Sequence, residues 1–95
     1  MDATNKLRGL LLSRYVKDLV NVKFESYENK DPDMPDCSIC LVNFAPEDEI
    51  VVFECDTKHY FHAECGLEWL KNKPECPLCR MDFSKNIMRH KKKFD

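Results

Sequence analysis

The chain has 95 residues, 15 basic and 17 acidic side chains and two glycines, enough for one small domain with extensions and too little for burial alone to stabilise it well. No window approaches the roughly 18 apolar residues of a membrane-crossing helix, since Leu10-Leu11-Leu12 lies between Arg8 and Arg14. The start MDATNKLRG lacks the long apolar core and small-residue cleavage site of a secretory signal, so the expected compartment is a reducing one, cytosol or nucleus, where thiols stay free to bind metal. A longer parent protein is compatible with all of this.

In chain order, Thr4 is placed to cap a helix beginning near Asn5. Leu7, Leu11, Tyr15, Leu19 and Val22 follow as an amphipathic stripe, widened by Leu12 and Val16. From Val20 the pattern also alternates at period two, through Val22 and Phe24. The expectation is a helix to about residue 22; the alternative is a stop near Asp18 followed by a short strand. The stripe needs a partner, either the rest of this chain, a second copy (a homodimer) or another protein. Its polar side is too weakly basic for a membrane surface. SYENKDPDMPD, with Pro32 and Pro35 among acids, reads as a linker. Glu49-Ile50-Val51-Val52-Phe53 reads as a strand, and residues 63–71 as a short helix halted before Pro74. FSKNIMRHKKKFD closes the chain as a polar tail. The expected organisation is an N-terminal helical extension over 1–30, a Pro/Asp linker over 31–36, a metal-rich unit over 37–83 and a basic tail over 84–95.

Charge is unevenly spread. Residues 25–56 carry ten acids against one base, Lys30, whereas residues 85–93 carry Lys85, Arg89, Lys91, Lys92 and Lys93 with no acid. The RHKKK run at 89–93 reads as solvated, and the acidic belt argues against nucleic acid as a partner.

The chemistry lies in Cys37, Cys40, Cys55, His59, His62, Cys65, Cys76 and Cys79, spaced C-x2-C-x14-C-x3-H-x2-H-x2-C-x10-C-x2-C. Eight ligands make two tetrahedral zinc sites with none left over, and a CxxC turn is tight enough to aim two sulfurs at one ion. Three disulfides would leave the histidines unexplained, and an iron–sulfur centre favours cysteine throughout. The pairing stays open at this level. CDTKHYFHAEC, residues 55–65, holds four ligands that could close one site and leave the two CxxC turns to form the other.

Several stretches together extend beyond the ligands: CSICL at 37–41, HYFHAEC at 59–65, Trp69-Leu70, and CPLCR at 76–80. Over residues 36–83 this pattern resembles the RING finger in its variant with two central histidines. The PHD finger, which has cysteine where His59 stands and an aromatic residue close before the last pair, fits less well with Trp69. The resemblance implies a small zinc-stabilised α+β fold, a cross-brace with a short hairpin and one short helix, to which the N-terminal helix is added. It pairs Cys37 and Cys40 with His62 and Cys65 around a first zinc, and Cys55 and His59 with Cys76 and Cys79 around a second. One departure stands out: three residues, Asp56-Thr57-Lys58, separate the third and fourth ligands where the family usually has one.

The resemblance also implies a function, that of a ubiquitin-protein ligase binding a ubiquitin-conjugating enzyme and promoting direct transfer of ubiquitin to a substrate lysine. Docking maps onto Ile39, Trp69 and Pro77, with Leu78 at the edge. Arg80 takes the position that bridges the conjugating enzyme and ubiquitin, although it would also offset the negative charge of a three-thiolate site. No nucleophile is implied: the cysteines are metal ligands, and His90 is the one histidine outside the pattern. The alternative is a structural finger within a larger assembly, without ligase activity. Tyr60 and Phe61, between the histidines, are expected to pack.

Overall fold

The computed structural model describes residues 11–90, the side chain of His90 excepted. Residues 11–18 are helical (α1) and bury Leu11, Leu12, Tyr15 and Val16. These four fall at i, i+1, i+4 and i+5, one side of a 3.6-residue period. The described part of the stripe is therefore covered by the chain itself, with Leu19 and Val22 packed partly buried against the same core. Thr4 and Leu7 lie outside the described residues.

The helix does not continue to residue 22. After Asp18 the chain turns, and Val20–Lys23 forms strand β1. Antiparallel pairing with β2 (Glu49–Val52) sets Val20 opposite Val52 and Val22 opposite Ile50. Strand wins here because β2 offers a row of backbone partners and because the two β-branched valines suit a pleated surface. Asn21 secures the exit, its side-chain amide donating to the carbonyls of Val16 at 2.9 Å and Leu19 at 2.8 Å, beside the Leu19 N–H that donates to the same Val16 carbonyl at 3.2 Å.

A third strand, β3 (Tyr60–His62), pairs antiparallel with the other edge of β2. The order β1-β2-β3 makes β2 central, which accounts for the unbroken buried run Ile50, Val51 and Val52. Tyr60 and Phe61 are both buried, as expected, and their adjacency on a strand sends them to opposite faces. Tyr60 joins Phe24, Tyr27 and Phe44, with Phe24 stacked on Phe44 at 4.9 Å and Tyr27 edge-on to Tyr60 at 5.2 Å. Phe61 packs on Phe53 at 4.8 Å, and Phe53 meets Phe83 edge-on at 5.5 Å.

The acidic stretch after β1 lies on the first of these clusters. Phe24–Ser26 is a 3-10 turn, with the Phe24 and Glu25 N–H groups donating to the Asp48 and Pro46 carbonyls at 2.8 and 3.0 Å. Asp31 N–H donates to the Tyr60 hydroxyl at 2.9 Å. Helix α2 (Ala63–Asn72) follows β3 and ends ahead of Pro74, as its sequence predicts. The polar closing segment is ordered over Ser84–His90 as helix α3. Phe83 and Ile87 anchor it, at 1% and 6% exposure. Residues 91–93 of the basic run lie outside the described residues.

Candidate metal centre

Two segments, one near each end of the finger, fold identically. In the first, Leu41 N–H donates to the Cys37 carbonyl at 2.7 Å and Cys37 N–H to the Val42 carbonyl at 3.0 Å; in the second, Arg80 N–H reaches Cys76 at 2.8 Å and Cys76 N–H reaches Met81 at 3.0 Å. Each turn is closed by an isolated bridge, Asp36 to Asn43 and Glu75 to Asp82. Each also puts the residue after its second cysteine in the left-handed region, Leu41 at φ 63° and Arg80 at φ 62°. These are metal knuckles, turns that bring two sulfurs to one side of the backbone.

The remaining four ligands come from the middle of the chain. His62 ends β3, Cys65 lies in the first turn of α2, and Cys55 and His59 flank the loop between β2 and β3. The structure draws Cys37, Cys40, His62 and Cys65 together, and separately Cys55, His59, Cys76 and Cys79, with the ligand atoms of each group within 4.8 Å of one another. CDTKHYFHAEC is thus divided between two sites, and the pairs interleave. The three-residue spacer Asp56-Thr57-Lys58 stays within one site, where Asp56 Oδ1 accepts the Lys58 N–H at 2.9 Å and its carbonyl accepts the His59 N–H at 3.1 Å.

Both histidines face the sulfurs through Nδ1, His62 at 3.3 Å from Cys40 and His59 at 3.3 Å from Cys55 and 3.5 Å from Cys76. Tetrahedral zinc, with Zn–S of about 2.3 Å and Zn–N of about 2.0 Å, needs ligand atoms roughly 3.5–3.8 Å apart, so three thiols and one imidazole in each group fit zinc. The electrostatics fit as well. Burial, then the neighbouring Cys37 and Cys40, pushes the Cys65 thiol up to about 12. Cys55 is likewise pushed well above the ordinary thiol range by burial, then by Cys76 and Cys79. Cys40, with the Val42 backbone N–H aimed at its sulfur, is brought down to about 7. Clustered sulfurs of this kind hold their charge together only around a cation, which is what zinc supplies to the fold.

The sequence pattern gave no indication of Asp48. Its Oδ2 lies 2.8 Å from His62 Nε2 and accepts the Ala45 N–H at 2.8 Å. The Ala45 N–H, then His62, holds this carboxyl below the usual range. A carboxylate on the far nitrogen fixes the tautomer and ring plane of a metal-bound histidine, but nothing in EDE at 47–49 marks which acid would do so.

The residues expected to dock a partner differ in exposure. Ile39 and Pro77, each inside a CxxC turn, and Trp69 on α2 are half-buried, Leu78 is 41% exposed, and Arg80 is exposed. Trp69 Nε1 donates to the Glu75 carbonyl at 2.8 Å, tying α2 to the second knuckle.

Two interleaved Cys/His zinc sites on a small antiparallel sheet with short helices define a cross-braced zinc finger. Residues 35–80 match the family model described as Ring finger domain. The chain is 48% identical over 50 residues to the RING-H2 finger protein ATL33 of Arabidopsis thaliana, covering 52% of this chain and 20% of that protein. It is 31% identical over 86 residues to the E3 ubiquitin-protein ligase RNF130 of Rattus norvegicus, covering 90% of this chain and 18% of that one. The crystal structure of the RING-H2 domain of Arabidopsis RMR1 superposes with a TM-score of 0.62 at 29% identity, over 74% of this chain and 86% of that one. Residues 35–80 are a RING finger domain in its two-histidine, RING-H2, form. The chain spans about a fifth of the length of these two curated relatives.

Proposed function

We propose that this chain carries the conjugating-enzyme-binding finger of a ubiquitin-protein ligase, which promotes direct transfer of ubiquitin to a substrate lysine. The observation that carries this reading is the saturated pair of metal centres: all six cysteines are engaged in the two clusters, leaving no thiol to form a ubiquitin thioester. Four protein ligands per ion also leave no open coordination position for metal catalysis. What remains to such a finger is to hold a charged conjugating enzyme and restrict the motion of its ubiquitin, a contribution of orientation. A relative named as an E3 ubiquitin-protein ligase aligns over 90% of the chain, which supports the same reading.

Ile39, Trp69 and Pro77, with Leu78 beside them, are the docking residues in this reading. Arg80 is the residue that bridges enzyme and ubiquitin, its planar group offering five fixed donors that stay charged. The left-handed φ of Arg80 would favour glycine, which is consistent with a side chain kept for what it contacts. The working compartment assigned by this reading is cytosol or nucleus, where zinc thiolates persist.

The test is ubiquitination in vitro against a panel of conjugating enzymes. Ile39→Ala and Trp69→Ala should keep both zincs and weaken docking by roughly 1–3 kcal/mol each. Ubiquitin should build on lysines without a reducible adduct on this chain. Activity with no conjugating enzyme in the panel, or parent affinity in both variants, would leave a structural finger as the correct reading.

A further inference from the structure

The two metal centres differ in what holds the ligands outside the knuckles. In the first, His62 and Cys65 sit on β3 and α2, so regular backbone hydrogen bonds fix them. In the second, Cys55 and His59 stand on an irregular loop whose own bonds are short in range: those of Asp56 to the Lys58 and His59 N–H groups, and Phe53 N–H to the His59 carbonyl at 2.9 Å. Two further bonds tie this loop to the N-terminal segment. The Tyr15 hydroxyl donates to Glu54 Oε1, one residue before Cys55, and the Tyr27 hydroxyl donates to the Thr57 carbonyl, midway between Cys55 and His59. Asn86 on α3 adds a donor to the same Glu54 oxygen at 3.2 Å. Tyr15 and Tyr27 both lie outside residues 35–80, the part that matches the family model.

We infer that Tyr15 and Tyr27 are positioning residues for the second metal centre, clamping the Cys55–His59 loop at two points so that its thiolate and imidazole meet the Cys76–Cys79 knuckle. The rings are 5% and 8% exposed and packed, Tyr15 near Phe83 and Tyr27 against Tyr60, so each hydroxyl is delivered from a fixed base. Burial raises the pKa of both phenols above the ordinary range, which keeps them protonated and donating. The three-residue spacer between the ligands, longer than the family's usual single residue, makes the clamp necessary: a longer loop has more conformations to lose when the metal binds, and Tyr27 grips the middle residue of the spacer. The inference stands on the metal centres and is independent of ligase activity.

The experiment uses the full chain with Tyr15→Phe and Tyr27→Phe combined, changes that keep both rings and remove both donors. Zinc release into excess chelator is followed by native mass spectrometry, and the folded protein by amide NMR. Loss of outer partners typically weakens metal binding about 10–100-fold, so one of the two zincs should leave at least about 10-fold faster while the other leaves at the parent rate. Amide shifts should change across Cys76–Met81 and stay in place across Cys37–Val42. Parent release rates for both zincs, equal acceleration of both, or shifts confined to the first knuckle would overturn the inference. Should the double variant fail to fold, Tyr27→Phe alone, whose ring retains its edge contact with Tyr60, is measured in the same way and judged by the same results.

Discussion

Leu41 and Arg80 occupy the same place in two copies of one turn, and both hold a backbone conformation that an L side chain adopts at a cost of about 1–2 kcal/mol. Nothing in CSICL or CPLCR announces this, because the strain belongs to the closed knuckle and not to either residue's propensity. Leu41 is 76% exposed, so its side chain gives little packing in return. Leu41→Gly should therefore be neutral to stabilising, by up to about 1 kcal/mol once the greater freedom of glycine in the unfolded chain is subtracted, whereas Leu41→Val should destabilise; thermal denaturation of zinc-loaded protein checks both. The twin position separates backbone from side chain in Arg80. Arg80→Gly relieves the same strain and should keep both zincs and full stability, while discharge of ubiquitin to free lysine slows about 10-fold, or about 1.4 kcal/mol of lost transition-state stabilisation. Discharge at the parent rate would reduce Arg80 to an electrostatic neighbour of the thiolates. Asp48→Asn belongs to the same scale: loss of the carboxylate behind His62 should weaken the hold on the first zinc about 10-fold, read by competition with a chelator.

Between elements, α2 lies close against the sheet at Gly66. Gly66 is buried in the helix, and a Cβ added there would lie 2.6 Å from Val51 Cγ1 and 3.3 Å from the Phe53 ring. Val51 is fully buried on the central strand, so it has little room to withdraw. Gly66→Ala should destabilise the folded protein by about 1–3 kcal/mol through overpacking, despite the helix propensity that alanine adds; a raised melting temperature would show the helix free to shift. The elements themselves were unequally legible. The central strand and α2 could be read because a buried apolar run and a Pro74 stop are local signals. Residues 19–23 could not, because Leu19 and Val22 continue the helical stripe while Val20 and Val22 alternate at period two, and the choice falls to β2, which lies more than twenty residues further on. For α3, the polar sequence around Ile87 hides a single anchor, which becomes visible only once Phe83 is placed in the core.

At the scale of the molecule, the eight ligands were legible as a set, but their partition came from resemblance and not from spacing, since CDTKHYFHAEC alone supports one site as readily as two halves. Interleaving means that each ion joins segments that secondary structure leaves apart: the first knuckle to the β3–α2 junction, and the β2–β3 loop to the second knuckle. The N-terminal segment is packed into the same core, since Leu11, Leu12, Tyr15 and Val16 form one buried cluster with Phe53, Phe61 and Phe83. Structural zinc contributes on the order of 10 kcal/mol per site in small folds, more than such a core supplies by itself. Removal of both ions should therefore unfold more than residues 37–83. The helical residues 11–18 and strand β1 should lose their amide-exchange protection together with β2, because the surface that they cover no longer exists. The measurement is hydrogen exchange before and after chelation, alongside native mass spectrometry giving two zincs per chain. Protection surviving at Tyr15 and Val16 in the metal-free protein would mean that the N-terminal segment folds on something other than the finger. A count of one zinc would break the eight-ligand assignment on which the cross-brace depends.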